Sequence, residues 1–305
     1  MKNTTVFSKP LDLYHIENED EIILRKGYLH KNELIIDKRE SSKEFIDALT
    51  TFLANNKIEI LHDNSIYDDF RQLMQFDLIK LESKTDKIII YMNRNYTNQA
   101  NCIFYDNYKI EVIDNLLSRE DIDKLNEEKD LISITDITNR SIDYLKDFDH
   151  IYYVDHFKNF TTIRAFNRLM KRIDKANTIG IVDDNNIYLT GIKHGYTGCY
   201  ECLEKHIMTK FPGYIEDYKI GKDLKESIDN ELNLIFSLIQ TDIKSYLNYG
   251  GSTLEGNTIH FYLPNYEYEF NKNRRTSACP TCATLNQVIF EEQNIRCINI
   301  IKELI

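Results

Sequence analysis

The sequence predicts an α/β protein with two domains, a winged helix-turn-helix-like module at residues 1–84 and a larger α/β domain at residues 85–305. Three observations support this prediction. The chain of 305 residues is longer than one hydrophobic core usually extends. Strand and helix patterns alternate along most of it, and two CxxC pairs lie far apart in its C-terminal half. With 42% hydrophobic and 29% charged residues, the composition is that of a globular protein.

Short β-rich runs followed by helical patterns define the small module. The runs span residues 13–18, 21–29 and 33–38, with turn-like residues between them. Behind a capping residue, Ser42, apolar side chains recur at helical spacing from Phe45 to Leu53, and a second helical pattern covers residues 66–78. Residues 79–83 predict a returning strand. Three strands and two helices within about 80 residues are typical of a winged helix-turn-helix-like module.

Strand and helix patterns continue in alternation through the larger domain, as in an α/β fold. The strand candidates are residues 87–92, 109–113, 131–135 and 150–155, and the helical patterns cover residues 119–129, 141–148 and 160–173. A hairpin at residues 178–192 follows them. A long amphipathic helix at residues 224–249 and an aromatic strand at residues 260–270 then lead to the second CxxC pair.

Four of the six cysteines form two CxxC pairs, Cys199 with Cys202 and Cys279 with Cys282. Zn²⁺ favours four thiolates in tetrahedral geometry, and two CxxC turns supply that shell without an open position. The 76 residues between the pairs predict a structural zinc site that joins distant segments. A redox CxxC, or one accidental pair, is the alternative. We predict that the remaining cysteines, Cys102 and Cys297, are packing residues. We also predict that His194 and His206 are surface histidines.

Charge and hydropathy bear on the class of partner. The net charge of −11 opposes binding to nucleic acid, and residues 66–78 lack the basic face of a DNA-reading helix. The exception is the segment of residues 25–43, which contains six basic and three acidic residues. This local excess of positive charge predicts attraction for an acidic peptide. No apolar run approaches the length of a membrane span, and the first residues lack a secretion signal, so we expect a cytoplasmic protein.

The cysteine motifs carry a family resemblance. GCYECL, with CPTC far downstream, resembles the zinc cysteines of the ThiF/MoeB branch of ubiquitin-activating-like enzymes. Upstream, VDHFKNFTTIR resembles that family's Asp-x-x-Asp-Asn-Phe-x-Thr-Arg segment. The matching positions are Asp155, Asn159, Phe160 and Thr162, with Arg164 one position beyond the family's arginine. The resemblance covers roughly residues 87–300 and implies a ThiF-type Rossmann-like domain.

Two departures from the family indicate a degenerate nucleotide site. Lys158 occupies the position of the second aspartate, which by the resemblance holds magnesium in adenylating members. No glycine occurs from Tyr28 to Ile179, so the Gly-rich turn that cradles phosphates after the first strand is missing. We therefore expect structural zinc, no use of ATP and no enzyme activity in this chain.

Loss of the nucleotide site together with a small N-terminal module resembles the Ocin-ThiF-like and microcin-synthetase-type scaffolds of azole-forming ribosomal peptide biosynthesis, which includes thiopeptides and other bacteriocins. That resemblance implies that the module binds a precursor leader peptide. It also implies that a separate YcaO-type cyclodehydratase forms the thiazoles and oxazoles, with a flavin dehydrogenase as a further partner. We expect a homodimer. The alternatives are an active ThiF/MoeB-like adenylating enzyme that acts on a peptide or protein C-terminus, and a winged-helix zinc transcription factor.

The module offers a physical route to peptide binding, because an exposed strand edge can add an extended peptide through main-chain hydrogen bonds. The third β-rich run supplies apolar residues beside the basic cluster, and one face of the second helix is polar and aromatic. The predicted peptide-binding residues are Leu34, Ile35, Ile36, Lys38, Tyr67, Arg71 and Gln75.

Overall fold

The computed structural model describes residues 4–27, 32–82, 87–104, 108–209, 228–277 and 279–282. The chain divides into two compact units. The first unit contains Met1–Lys84 and Lys244–Gly251, and the second contains Thr85–Ile243 and Ser252–Ile305. The sequence-based division had left residues 244–251 in the larger domain.

The first unit contains two small antiparallel sheets and two helices. Its elements are β1 (Thr4–Ser8), β2 (Leu13–Glu17), β3 (Glu21–Lys26), β4 (Asn32–Asp37), α1 (Lys43–Asn55), β5 (Lys57–Leu61), α2 (Tyr67–Gln75) and β6 (Lys80–Leu81). One sheet has the order β2-β3-β4 and the other has the order β5-β1-β6. The phenyl rings of Phe7 and Phe52 lie 5.5 and 5.7 Å from that of Phe70 and form the centre of the core.

Local sequence signals explain where α1 begins and where α2 ends. The hydroxyl of Ser42 accepts a hydrogen bond from Phe45 N and caps α1, as predicted. Asp77, in the left-handed region at φ 59°, ends α2 with a Schellman motif in which Leu78 N donates to Leu73 O. The helix is therefore shorter than the predicted pattern, and Leu78 is buried rather than on a polar face.

The second unit is built on a seven-stranded mixed sheet in the order β13-β12-β11-β10-β9-β7-β8. Its strands are β7 (Ile88–Met92), β8 (Lys109–Val112), β9 (His150–His156), β10 (Asn177–Asp183), β11 (Asn186–Ile192), β12 (Asn257–Tyr262) and β13 (Glu267–Lys272). Strands β8, β7, β9 and β10 are parallel, and the remaining pairs are antiparallel. The order of the parallel strands places a topological switch point between β7 and β9.

Helices connect the parallel strands and then complete the second unit. They are α3 (Thr97–Ile103), α4 (Arg119–Glu127), α5 (Leu131–Leu145), α6 (Phe160–Arg172), α7 (Tyr200–Thr209) and α8 (Asp229–Tyr249). Every residue of β7 and β9 is buried, which explains why these strands read as continuous apolar runs. No helix in the described ranges is long and apolar enough to cross a membrane.

Two predicted strands of the larger domain are wrong. Residues 131–135 form the first turn of α5, because Asp130 caps the helix through Ser133 N and buried residues recur at helical spacing from Ile134 to Leu145. Residues 260–270 are part of a hairpin rather than one strand. Pro264 cannot donate to a strand ladder, and the chain reverses through a 3-10 turn before Tyr266 adopts φ 55°.

Candidate functional site

The four CxxC cysteines lie together in the second unit. Their sulfur atoms are all within 4.8 Å of one another. The Sγ atom of Cys199 lies 4.0 Å from that of Cys202 and 3.5 Å from that of Cys279, and the Sγ atoms of Cys202 and Cys282 are 3.1 Å apart. A tetrahedron with Zn–S bonds of about 2.3 Å has S···S edges of about 3.8 Å. The buried cluster is therefore compatible with a structural zinc ion.

Close backbone approach brings the two cysteine segments together. Gly198 N donates to Asn273 O at 3.0 Å, and the side-chain amide of Asn273 donates to Gly198 O at 3.0 Å. A Cβ atom at Gly198 would lie 2.5 Å from Asn273 Oδ1 and 2.8 Å from Arg274 O, so this position requires glycine. Cys199 and Cys202 then lie at the start of α7, where Cys202 N donates to Cys199 O.

A polar shell around the cysteines links them to α6. Thr276 N donates to Cys202 Sγ at 3.3 Å, the kind of backbone donor that stabilises a thiolate. Arg168 of α6 forms an ion pair at 2.9 Å with Glu201, which lies inside the first CxxC motif, and Thr281 of the second motif donates its hydroxyl to the same carboxylate. One carboxylate thus connects both cysteine motifs to the helix that follows β9.

The protonation of the thiols depends on their mutual contacts. The pKa of the Cys199 thiol is raised, first by its hydrogen bond with Cys202, whereas the pKa of Cys202 is lowered because its sulfur accepts hydrogen bonds, first from Cys199. Four thiolates at this spacing repel one another strongly unless a cation lies between them. The donor set thus fits a divalent soft metal, and metal binding would release the remaining protons.

The sequence also predicted the surroundings of two histidines and of the two remaining cysteines. His194 is 7% exposed, which corrects its prediction as a surface residue, and burial lowers its pKa to about 4. Within the described residues neither of its ring nitrogens has a hydrogen-bond partner. His206 is exposed, as predicted. Cys102 is exposed and so is not a packing residue. Cys297 lies outside the described residues.

The residues that match the family's aspartate segment meet at the carboxyl end of β9. Asp155 is buried, and its carboxylate accepts hydrogen bonds from Tyr153 Oη at 2.6 Å, Asn159 Nδ2 at 2.7 Å and His156 N at 2.8 Å. Burial raises the pKa of Asp155, and these donors oppose that shift. Every donor is supplied by the chain itself, so Asp155 orders the turn between β9 and α6.

The other positions of the segment lie on α6 or beside it. Phe160 and Thr162 fall in the first turn of the helix. The guanidinium of Arg164 lies 4.9 Å from the ring centroid of Phe160 and pairs with Glu204 at 2.8 Å. Lys158 is exposed at the edge of a small cavity.

That cavity lies at the switch point between β7 and β9, where open α/β sheets bind ligands. Its volume is about 160 Å³, below the several hundred Å³ of a typical ligand pocket. The lining residues are Asn93, Asn95, Tyr96, His156, Lys158, Asn159, Asp184 and Ile228. The turn after β7 is a 3-10 helix, Arg94–Tyr96, in which Asn95 N donates to the Asn93 side chain. A hydrogen bond to the Asn93 side chain therefore orders the backbone of that turn, which contains no glycine.

A cleft between β4 and α2 is the main candidate for a peptide site in the first unit. Its volume is about 330 Å³. Strand β4 pairs with β3 along one edge, and no described strand pairs with its other edge. The lining residues are Leu34, Ile35, Ile36, Asp37, Glu40, Ser41, Phe45, Asp69, Gln72, Leu73 and Phe76. The cleft therefore combines an open strand edge with an apolar floor.

The structure brings only some of the predicted peptide-binding residues into this cleft. Leu34, Ile35 and Ile36 line it, but Tyr67, Arg71, Gln75 and Lys38 do not. The ring of Tyr67 stacks on His62 with centroids 4.5 Å apart, and Arg71 contacts Asp68 at 4.0 Å. Sequence periodicity identified two helix faces but could not tell which one lies beside β4. The face beside the cleft carries Asp69, Gln72, Leu73 and Phe76.

The predicted basic attraction at residues 25–43 is largely cancelled. Four of the six basic residues form ion pairs at 2.5 to 2.8 Å. These pairs are Arg25–Glu33, Lys26–Asp77, Lys38–Glu17 and Arg39–Asp20. Among the described residues, those that line the cleft include three carboxylates and no basic group.

Comparison with solved structures identifies heterocyclases and a related enzyme. A heterocyclase solved with substrate and cofactor has a TM-score of 0.50 and 10% identity, over 92% of this chain and 39% of that one. The heterocyclase TruD gives 0.45 and 12%, over 92% and 43%. Escherichia coli MccB gives 0.46 and 11%, over 92% and 97%. The chain thus spans about two-fifths of each heterocyclase.

No protein-family profile and no curated protein sequence matches the chain. At these identities a structural likeness shows the fold alone. At that level the likeness to the heterocyclase solved with substrate and cofactor confirms the predicted α/β fold with a mixed sheet.

Proposed function

We propose that this chain is a non-catalytic scaffold that binds the leader of a ribosomal precursor peptide and presents the peptide to a YcaO-type cyclodehydratase for thiazole and oxazole formation. A flavin dehydrogenase is a further proposed partner. The observation that carries the proposal is the cleft between β4 and α2, which joins an open strand edge to an apolar floor. In this proposal the first unit, which contains the cleft, is the winged helix-turn-helix-like module that recognises the leader.

Strand addition explains how the cleft would hold an extended peptide. The open edge of β4 supplies main-chain donors and acceptors, which bind any extended backbone. Leu73 and Phe45 are buried at the base of the cleft, whereas Phe76 is 57% exposed at its rim. A peptide along β4 would cover Phe76, and the burial of apolar area would favour binding.

The features of the second unit support a role without ATP. The turn after β7 contains no glycine, the cavity beside it is small, and Lys158 stands at its edge. A phosphate cradle needs several backbone N–H groups aimed at the anion, a geometry that glycine makes accessible. The alternative proposal is an active adenylating enzyme, for which the placement of Asp155 at the switch point is the supporting observation.

We further propose that Cys199, Cys202, Cys279 and Cys282 bind one structural Zn²⁺. Four protein thiolates leave no position for substrate, so the ion would stabilise the fold rather than catalyse. It would join the start of α7 to the segment after β13, two regions that are far apart in sequence.

Reconstitution of heterocycle formation tests the proposed function. A YcaO-type cyclodehydratase that copurifies with the chain would be incubated with its precursor peptide and ATP, and the loss of one water per ring would be followed by mass spectrometry. We expect conversion to require this chain and to fall with Phe76→Ala. The matched control is Ile16→Ala, because Ile16 is 52% exposed on β2, at the opposite edge of the same sheet. Conversion that is unchanged without this chain would refute the scaffold role.

A further inference from the structure

The charged side chains around the cleft between β4 and α2 indicate which kind of peptide it would bind. Asp37 lies at the end of β4, Glu40 lies just before α1, and Asp69 lies on α2. These three carboxylates line the cleft, and no lysine, arginine or histidine lines it in the part of the chain that the structure describes. Lys38 and Arg39 are the basic residues nearest to Asp37 and Glu40 in the sequence. They form ion pairs with Glu17 and Asp20, respectively.

Asp69 is the carboxylate with the clearest unmet charge. It is half-buried, and no hydrogen bond or ion pair to it is found among the described residues. Burial raises its pKa, and the neighbouring charge of Asp68 raises it further. A cation at the cleft would relieve both effects, because an opposite charge nearby favours the ionised carboxylate.

The cleft combines an apolar surface with the carboxylate of Asp69, and this combination suits one kind of peptide. Leu34 and Ile36 lie on one face of β4. The apolar part of the lining consists of these two residues with Ile35, Phe45, Leu73 and Phe76. In an added strand, every second side chain would point toward these residues. A long basic side chain next to them could lay its methylenes on Phe76 and place its charge at Asp69.

We infer, on the basis of the proposed function, that the cleft selects an extended segment with apolar residues at alternate positions and at least one lysine or arginine among them. This reverses the acidic leader that the basic cluster had predicted. The net charge of −11 adds long-range attraction for the same class of peptide.

Three fluorescein-labelled probes of about nine residues, the length of a long strand, would test the inference on the full chain. Each alternates leucine with serine, so that the leucines share one face of the strand, and the central leucine is replaced by lysine in one probe, by glutamate in another and by serine in the third. We expect the lysine probe to bind about tenfold more tightly than the glutamate probe at low salt, with the serine probe between them. The difference should shrink as salt screens the charges.

Two variants with the same change in net charge separate a specific site from general attraction. Asp69→Asn removes a carboxylate that lines the cleft, and Asp68→Asn removes its neighbour, which does not. Asp69→Asn should reduce the preference for lysine about threefold or more, whereas Asp68→Asn should leave it unchanged. Glu40→Gln is a second test at the opposite wall. Circular dichroism would confirm that each variant is folded.

The outcomes distinguish this inference from the proposed function. If all three probes bind equally, and Phe76→Ala weakens them all, the cleft binds peptides but the charge selection is wrong. Equal effects of Asp68→Asn and Asp69→Asn would also overturn it. If no probe binds, or if Phe76→Ala has no effect, both the inference and the peptide-binding role of this cleft are refuted.

Discussion

At the scale of single residues, the cysteine cluster shows how a short sequence motif can fix a long-range contact. The two CxxC motifs predicted that four thiols meet, and the sulfur atoms do lie within 4.8 Å of one another. The motif did not reveal the supports of that cluster. Glu201 and Thr281 occupy the x positions of the two motifs, where the sequence alone gives no reason to expect a shared hydrogen bond.

Removing two thiols should show whether the cluster holds metal. We expect Cys199→Ser with Cys279→Ser to abolish stoichiometric zinc and to yield insoluble protein, because structural zinc contributes about 10 kcal/mol or more to folding. The control is Cys102→Ser, since Cys102 is exposed and outside the cluster. Metal analysis of purified protein is the measurement. A folded double variant, or a wild-type protein without zinc, would contradict the prediction.

A buried histidine should make the second unit sensitive to acid. His150 is fully buried beside Thr178, at 2.8 Å, and burial lowers its pKa to about 4. The unfolded state, with an ordinary pKa of about 6.5, therefore binds more protons between these values, and stability is lost as the pH falls below 6.5. From pH 7 to pH 5 this group alone should remove about 2 kcal/mol from the free energy of unfolding.

Denaturant unfolding of wild type and His150→Asn at both pH values would measure that loss. The variant should start less stable but lose about 2 kcal/mol less between pH 7 and pH 5. Metal release at low pH affects both proteins, so it cancels in the difference. His206→Asn, at an exposed position, is the control and should behave as wild type. Equal losses in wild type and His150→Asn would contradict the prediction.

At the scale of elements, sequence patterns located most helices and strands where side chains are buried at a clear period. Helix α1 was predicted from Ser42 and its apolar spacing, and β7 and β9 were predicted from their apolar runs. Only the C-terminal part of helix α5 was predicted, from the helical pattern at residues 141–148. Its first residues, Leu131 and Ile132, are apolar yet 67% and 79% exposed, so the pattern there resembled a strand. Strand β1 gave no alternating signal because only its end is buried.

The turn after β7 carries the prediction about nucleotide. We expect calorimetry of the wild-type chain with Mg-ATP to be flat, because this turn has no glycine and its own side chains order it. Lys158→Asp restores the acidic residue that the family resemblance implies, yet it should not restore binding, since the phosphate cradle is still missing. Heat of binding in either protein, or pyrophosphate exchange that depends on a peptide, would support the adenylating alternative.

The same scale explains why the candidate peptide site was only half predicted. The apolar run of β4 predicted a strand, and its residues Leu34, Ile35 and Ile36 line the cleft. The helical side of the cleft depends on how α2 is rotated toward β4, which the packing of Phe70 and Leu73 into the core decides. A periodic pattern defines faces of a helix, but only tertiary packing assigns a partner to each face.

At the scale of the whole molecule, the chain contains an α/β unit with a mixed sheet and a smaller unit that carries an open strand edge, and its fold is similar to that of a heterocyclase. Fold class follows from the alternation of patterns and could be predicted. The charge of the cleft could not, because neighbouring acids and bases cancel in pairs that sequence proximity does not reveal, as in Lys26 with Asp77. Function resides in such sites rather than in the fold.

Binding of a labelled leader peptide to the full chain tests the central claim most directly. The leader of a precursor peptide whose conversion requires this chain would be titrated by fluorescence anisotropy against wild type, Phe76→Ala and Ile16→Ala. We predict saturable binding of one leader per chain, weakened about tenfold by Phe76→Ala, which loses an aromatic contact in the cleft, and changed less than about twofold by Ile16→Ala. Equal affinities for all three proteins, or no binding to wild type, would contradict the account.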